Sequence, residues 1–475
     1  MSDRKIGVWE TEIRRSHNAS YTPHYIRQIV LKFVYRKNSL SNEYRSIYWR
    51  SPTEQTDFSK CREKSSTQSD KTQNWRCWCI WLVVGGVFIA SLPERVFAQI
   101  TPDNTLPNNS SVIRDGNIFN INGGTQAGAN LFHSFSEFSV PNGGAASFNN
   151  AVDIQNIISR VTGGSVSQID GLIRSLGTAN LFLINPKGII FGQGARLDIG
   201  GSFVGTTANA IGFGDRGFFS AIEKNIPLSL LTVNPSALLF NQINQNAAIQ
   251  NNSVAPAGKD PAGFSVSGLR VPDGKSLLLI GGDINMDGGI LNAIGGRVEL
   301  GSLAGAGKVA LNTDDSNLSL SFPDHVDRSN VSLRNSAIVY VAGSGGGSII
   351  VNARNIDVSG EGSQLTSGIG KKLGSVNAQA GDITLKATGE IKVAGSSLVG
   401  NAVRSEGRGN AGSINISSNS FSLTTDAQLI TAVFVTADDQ GIVQPQLSGQ
   451  GNAGNININV RGTVTIANGY IFSIL

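Results

Sequence analysis

Beyond position 98 the chain is a succession of short stretches in which apolar and polar residues alternate with a period of two, each closed by Gly, Asn, Asp or Ser. Residues 118–121 (IFNI), 383–385 (ITL), 391–393 (IKV) and 464–466 (VTI) are examples. An extended strand with this pattern has one side in a core and the other in water. Helical periodicity is almost absent, so the pattern predicts an all-β chain.

The second half repeats one unit: glycine, strand, bend, second strand. It reads GGGSIIVNARNIDV at 345–358, AGDITLKATGEIKV at 380–393, AGSINISSNSFSL at 411–423 and AGNININVRGTVTI at 453–466. GDINM at 282–286 and GRVEL at 296–300 read as earlier, worn copies. The first Ile of each unit falls at 349, 383, 414 and 456, intervals of 34, 31 and 42 residues. Repeats of this kind predict a single-stranded parallel β-helix, a solenoid whose alternate apolar residues fill the bore while Gly and Asn turn the corners. At roughly 20–25 residues per coil, the 377 residues after position 98 would form about 15–19 coils and a rod of about 70–90 Å. A second echo, INPKGIIF at 184–191 and VNPSALLF at 233–240, is expected to mark equivalent turns about two coils apart, because Asn-Pro breaks a ladder before the next apolar run. The last residues, GYIFSIL at 469–475, form a strand-like run without the polar cap a solenoid end requires, the pattern of a truncated product.

Composition divides the chain near position 98. Residues 1–98 carry 16 of the 38 Lys+Arg and 9 of the 34 Asp+Glu, so the net charge of +4 splits into +7 before the boundary and −3 after it. The basic pI of about 8.9 therefore belongs to the leader, and the main body offers no case for nucleic-acid binding. All five Trp and all three Cys (Cys61, Cys77, Cys79) lie in the leader as well. A body without thiols suits passage through a pore unfolded. From 77 to 92 runs CWCIWLVVGGVFIASL, with Lys71 and Arg76 before it and Val96, Phe97 and Ala98 after it. That order of cationic, apolar and small residues predicts a signal helix within a signal peptide over 71–98, cut between Ala98 and Gln99. The run is too short for a membrane span and closes on Pro93, Glu94 and Arg95. Residues 1–70 are charged and patternless, a disordered extension that reads either as an extended signal region or as a mis-assigned start.

Several blocks after position 98 together resemble the filamentous haemagglutinin N-terminal domain, the secretion domain of two-partner secretion passengers. They are NLFHSFSEF at 130–138, ISRVTGG at 158–164, IDG at 169–171, ANLFLINPKGIIFG at 179–192 and LDIGGSF at 197–203. The resemblance covers 99 to about 310 and leaves 311–475 as the β-helix repeat region. It implies a right-handed β-helix with an N-terminal β cap, exported by the Sec machinery and then recognised by a partner outer-membrane transporter through its periplasmic domains. The family motif N-P-N-G-[IL] falls on Asn185, Pro186, Gly188 and Ile189, with Lys187 where the family usually has Asn; these residues either meet the transporter or shape a turn. Cell-surface glycans or proteins, of a host or a neighbouring cell, are the implied targets of such an adhesin-like exoprotein.

Parallel β-helices also carry polysaccharide lyases and hydrolases, which makes a carbohydrate-active enzyme the rival reading; a nonfunctional fragment is a third. Such enzymes need paired carboxylates, or acids around a calcium ion with a cationic base. Asp314 with Asp315, Asp324 with His325 and Asp327, and Asp438 with Asp439 are the loose candidates, and each lies in a loop-like context. His133 and His325, the only histidines after the leader, make neither a metal site nor a triad. His133 reads as a packed residue of the cap. No catalytic residue, metal or cofactor is expected.

Overall fold

The computed structural model describes residues 27–30 and 99–475, apart from 224–230, 242–246, 315–316, 438–441 and 475. Most of the leader, the signal segment with Ala98, and Asp315, Asp438 and Asp439 thus lie outside the described residues. The body, Ala98–Leu475, falls within one compact unit.

The body is a parallel β-helix with three faces. On the first face ten strands stack in parallel, beginning at Asn130, Asn156, Asn180, Phe203, Ser276, Arg297, Ser348, Ile383, Ile414 and Ile456. The second face runs from Ser167–Ile169 to Val464–Ala467. The third is made of two sheets, one ending at Arg196–Asp198 and one running from Leu269–Arg270 to Tyr470–Ile474. An N-terminal cap closes the first turn. Its strand Ile100–Pro102 lies antiparallel on Asn130–Phe138, and the hairpin of Ser110–Asp115 and Ile118–Gly123 starts the third face.

Among the described residues the expected 15–19 coils are ten, roughly 45 Å of stacked strands at about 4.8 Å each. Ile349, Ile383, Ile414 and Ile456 are direct register partners, so the intervals of 34, 31 and 42 residues are single turns. Excursions from the helix absorb the difference. The largest, with the later strands Gly307–Asp314 and Asn317–Ser321, forms an antiparallel sheet with Ala210–Gly212, Phe218–Ser220 and Ala237–Phe240. The second Asn-Pro echo lies there too: it leads into Ala237–Phe240, outside the stacked rungs, so it is not an equivalent turn two coils on.

That sheet explains why some strands are apolar on both sides. In Asn180–Ile184, Leu181 and Leu183 fill the bore while Phe182 and Ile184 face outward into a second core. Ile158, Val204, Leu278 and Ile280 do the same, and Ile211, Phe219, Leu238 and Val309 of the antiparallel sheet cover them. Each such side chain contributes about 2 kcal/mol by leaving water. From Thr384 onward the outward positions are polar: Thr384, Asn415 and Asn457 form one row, and Lys386, Ser417 and Asn459 the next.

The recurrent Ala-Gly pair has a stacking cause. A Cβ on Gly412 would stand 2.2 Å from the Gly381 carbonyl oxygen, and one on Gly454 2.0 Å from that of Gly412. Polar side chains in register on the third face donate to the glycine carbonyls, Ser367 and Asn401 to Gly381 O and Thr431 and Ser473 to Gly454 O. Asn401 Nδ2 reaches Gly381 O at 2.9 Å and Thr431 Oγ1 reaches Gly454 O at 2.9 Å. At the other end an asparagine ladder ties the first rungs: Asn156 donates to Asn130 at 2.8 Å, and Asn180 to Asn156 at 3.0 Å.

Candidate functional site

Asn185 follows the first-face strand Asn180–Ile184 and is fully buried, with Ile189 buried beside it and Lys187 exposed. Its Nδ2 donates to Ser165 O at 3.0 Å and Ser167 Oγ at 2.9 Å, and its Oδ1 accepts from the Lys187 amide at 2.9 Å. The Gly188 amide closes the turn on Asn185 O at 3.0 Å. Asn185 Oδ1 thus folds the next two residues into an Asx turn, and Pro186 supplies the fixed φ. Gly188 has φ of 121°, and a Cβ there would stand 3.0 Å from Ala248 O. The four motif residues lie together in one corner, and the side chain that leaves it for solvent is Lys187.

A second constellation joins the cap to the antiparallel insertion. Arg160, in Asn156–Val161, points outward from the first face yet is 1% exposed. Its Nε donates to Ser134 Oγ at 2.7 Å, Nη1 to Ser220 O at 2.5 Å and Nη2 to Thr105 Oγ1 at 2.8 Å. The guanidinium lies 4.4 Å from the Phe219 ring centroid. Burial lowers its pKa to about 10, against the opposing pull of Asp103, so it stays charged at neutral pH. Asp103 answers through hydroxyls, accepting from Ser134 at 2.7 Å, Thr162 at 2.6 Å and Thr105 at 2.7 Å. Its burial works to raise its pKa, but these bonds outweigh that and leave it lowered. A charge pair bridged by two hydroxyls, those of Ser134 and Thr105, with a third from Thr162 on Asp103, thus fixes strands from three parts of the chain. The sequence reading missed it; the signal was a lone Arg in an otherwise uncharged strand.

His133 is buried against Phe148, ring centroids 5.3 Å apart, with Nδ1 3.0 Å from Ser110 Oγ. Burial pushes its pKa down to about 3. In the unfolded chain the imidazole takes a proton near pH 6.5, so the unfolded state binds more protons below that pH and stability falls as pH drops from 6.5 towards 3. Between pH 7 and pH 4.5 the loss from this group is about 2–3 kcal/mol. Urea melts at those two pH values should show it, and His133→Gln should flatten the difference.

Asp324, His325 and Asp327 are exposed in a loop. Among the described residues no three His, Cys, Asp or Glu are grouped to hold a metal. No helix among them is long and apolar enough to cross a membrane.

A capped parallel β-helix with an antiparallel sheet laid on one face defines the fold class. The model of the TPS secretion domain family matches residues 98–351, more than half of the chain, and the chain belongs to that family. Among solved structures it is similar to the HMW1 secretion domain from Haemophilus influenzae, at 19% identity and a TM-score of 0.48, covering 72% of this chain and 77% of that one. It is also similar to a filamentous hemagglutinin secretion domain, at 14% identity and a TM-score of 0.32, covering 79% of this chain and 99% of that one. No curated protein matches. Proteins with this domain are secreted through the outer membrane, and the family implies a partner transporter there.

Proposed function

We propose that the chain is a non-catalytic, adhesin-like exoprotein, brought to the periplasm by the Sec machinery and exported through a partner outer-membrane barrel. The family match over residues 98–351 carries the reading. On this view 71–98 is the signal peptide, cut between Ala98 and Gln99, 99–310 is the secretion domain, and the rungs of 311–475 present loops to cell-surface targets. The polar outward rows of the later rungs support the scaffold role.

Co-expression with and without a partner outer-membrane barrel tests the proposal. Barrel-dependent appearance of the chain in the medium, beginning at Gln99, is the expected result. Retention in the periplasm beside a functional barrel overturns it. The Asn185 corner acts through its shape: Asn185→Ala loses three hydrogen bonds and should cost about 2 kcal/mol of stability together with export. Lys187→Glu should be exported normally. Export lost in Lys187→Glu with an unchanged melt would instead make this corner a contact surface.

A further inference from the structure

From Ile338 onward the third face is a strip of strands, Ile338–Tyr340, Gln364–Ile369, Leu398–Val403, Gln428–Val433 and Tyr470–Ile474, stacked in unbroken register. Val339, Leu365, Val399, Leu429 and Ile471 turn into the bore, so the residues on either side of each face outward. Two outward rows result along the rod. One carries Gln364, Gln428 and Tyr470, and the other Tyr340, Thr366 and Phe472.

Tyr340 and Tyr470 are the two tyrosines after position 98, and both lie on this strip. Tyr470 is exposed, and its ring is nearly parallel to that of Phe472, with 7° between the planes and 5.9 Å between centroids. Tyr340 is braced by the Arg404 guanidinium, 5.4 Å from its ring centroid. The outward positions of the four later strands are uncharged, whereas the same turns show Asp357 and Lys392 on the second face and Lys386 on the first. The polar groups of the strip are also unused. Among the described residues the half-buried amides of Gln364 and Gln428 have no hydrogen-bond partner in the protein, and Thr366, 2% exposed, leaves its Oγ1 without one. A buried hydroxyl left unpaired costs stability and calls for a reason.

We propose that this strip binds a neutral, extended polysaccharide of β-linked hexoses, lying along the rod. Pyranose rings present C–H groups that pack on the negative face of an aromatic ring, and Tyr470 and Phe472 offer two parallel rings. Amides both donate to and accept from sugar hydroxyls. Gln364 and Gln428 stand two rungs apart, about 9.6 Å, which is close to the length of a disaccharide in such a chain. Strands in unbroken register make a straight strip, and a ribbon-like β-linked chain follows it where a coiled α-linked one does not. Without outward charge the four later strands have nothing to set against a uronate or a sulfate, so the polymer that fits is neutral. The proposal deepens the adhesin-like reading, on which it rests, by giving the target a chemistry.

The test takes the full chain, purified from the medium or from the periplasm, and measures its retention on amorphous cellulose, β-mannan, insoluble starch and immobilised polygalacturonate. Retention on cellulose or mannan, unchanged by salt, is expected, with little on starch or polygalacturonate. Tyr470→Ala should weaken it about tenfold, Tyr470→Phe far less, and Gln428→Ala several-fold by loss of a neutral hydrogen bond. Lys392→Gln, an exposed cation on the second face, should change nothing. An unchanged melt establishes that each variant is folded, and Gln428→Ala carries the test if Tyr470→Ala loosens its rung. No retention on either β-linked polymer, retention that weakens with salt, equal retention on starch, or equal weakening by Lys392→Gln each overturns the proposal. So does a dimer in sedimentation that Tyr470→Ala abolishes, because a second copy would then cover the strip. Chain from either compartment serves, so these outcomes leave the export reading to the barrel experiment.

Discussion

Arg160→Met is expected to destabilise the N-terminal end of the β-helix by about 3–5 kcal/mol, the cost of removing one member of a buried charge pair. Met matches the apolar stem but satisfies none of the partners. Ser220 O, Ser134 Oγ and Thr105 Oγ1 each lose a donor, and Asp103 keeps a partly buried charge without its counter-ion. Native-state hydrogen exchange is the suitable measurement. Protection should fall first in Ile100–Pro102 and Phe218–Ser220, the strands tied through the constellation, while the rungs from Ser348 onward keep theirs, because a solenoid is stabilised turn by turn. Arg160→Met combined with Asp103→Asn should cost less than the sum of the two, since the double variant no longer buries an uncompensated carboxylate. Equal protection in all strands of Arg160→Met would show that the pair is not what fixes the cap.

The rungs were legible in the sequence because their cause is local. A bore needs every second residue apolar, and the repeats from 345 onward carry that pattern with the glycine that lets one turn rest on the next. The number of turns was not legible, because alternation identifies strands without saying which of them stack. Ala237–Phe240 reads like a rung strand, yet it lies in the antiparallel sheet. The stretches apolar on both sides, such as Asn180–Ile184 and Ser276–Gly281, did carry the clue, since a strand with two apolar faces needs cover on both. The Asn185 turn was half legible: Asn-Pro marked the corner, but only the fold shows that the Asn185 side chain is spent within it. Arg160 was hidden for a long-range reason. Outward positions on a β-helix normally face water, and what buries this one is Ser220, sixty residues along the chain.

Gly412→Ala should be strongly damaging for a single-methyl change in the repeat region. The added Cβ would stand 2.2 Å from Gly381 O, 2.7 Å from Gly381 C and 2.8 Å from Asn401 Nδ2. Two of the three obstacles are backbone, so they yield only if adjacent rungs separate. The third is the amide that donates to Gly381 O at 2.9 Å and accepts from the Gly412 amide at 3.0 Å. Overpacking typically costs about 1–3 kcal/mol, and the loss of that bridge adds about 1 kcal/mol, so about 2–4 kcal/mol is expected in a denaturant melt. Position within the stack then decides how the damage spreads. Gly454→Ala meets the same kind of contact, 2.0 Å from Gly412 O, but only the rung of Ile456–Val460, Val464–Ala467 and Tyr470–Ile474 follows it in the described chain. Its lost protection should stay in that rung, whereas Gly412→Ala should also loosen Ile414–Ser418 and the strands stacked on it. Gly164→Ala, with nothing within 4 Å of the added Cβ and no left-handed φ, is the control and should gain about 0.5 kcal/mol from a less flexible unfolded chain. If all three alanines behaved alike, glycine would be serving chain flexibility rather than the contact between turns.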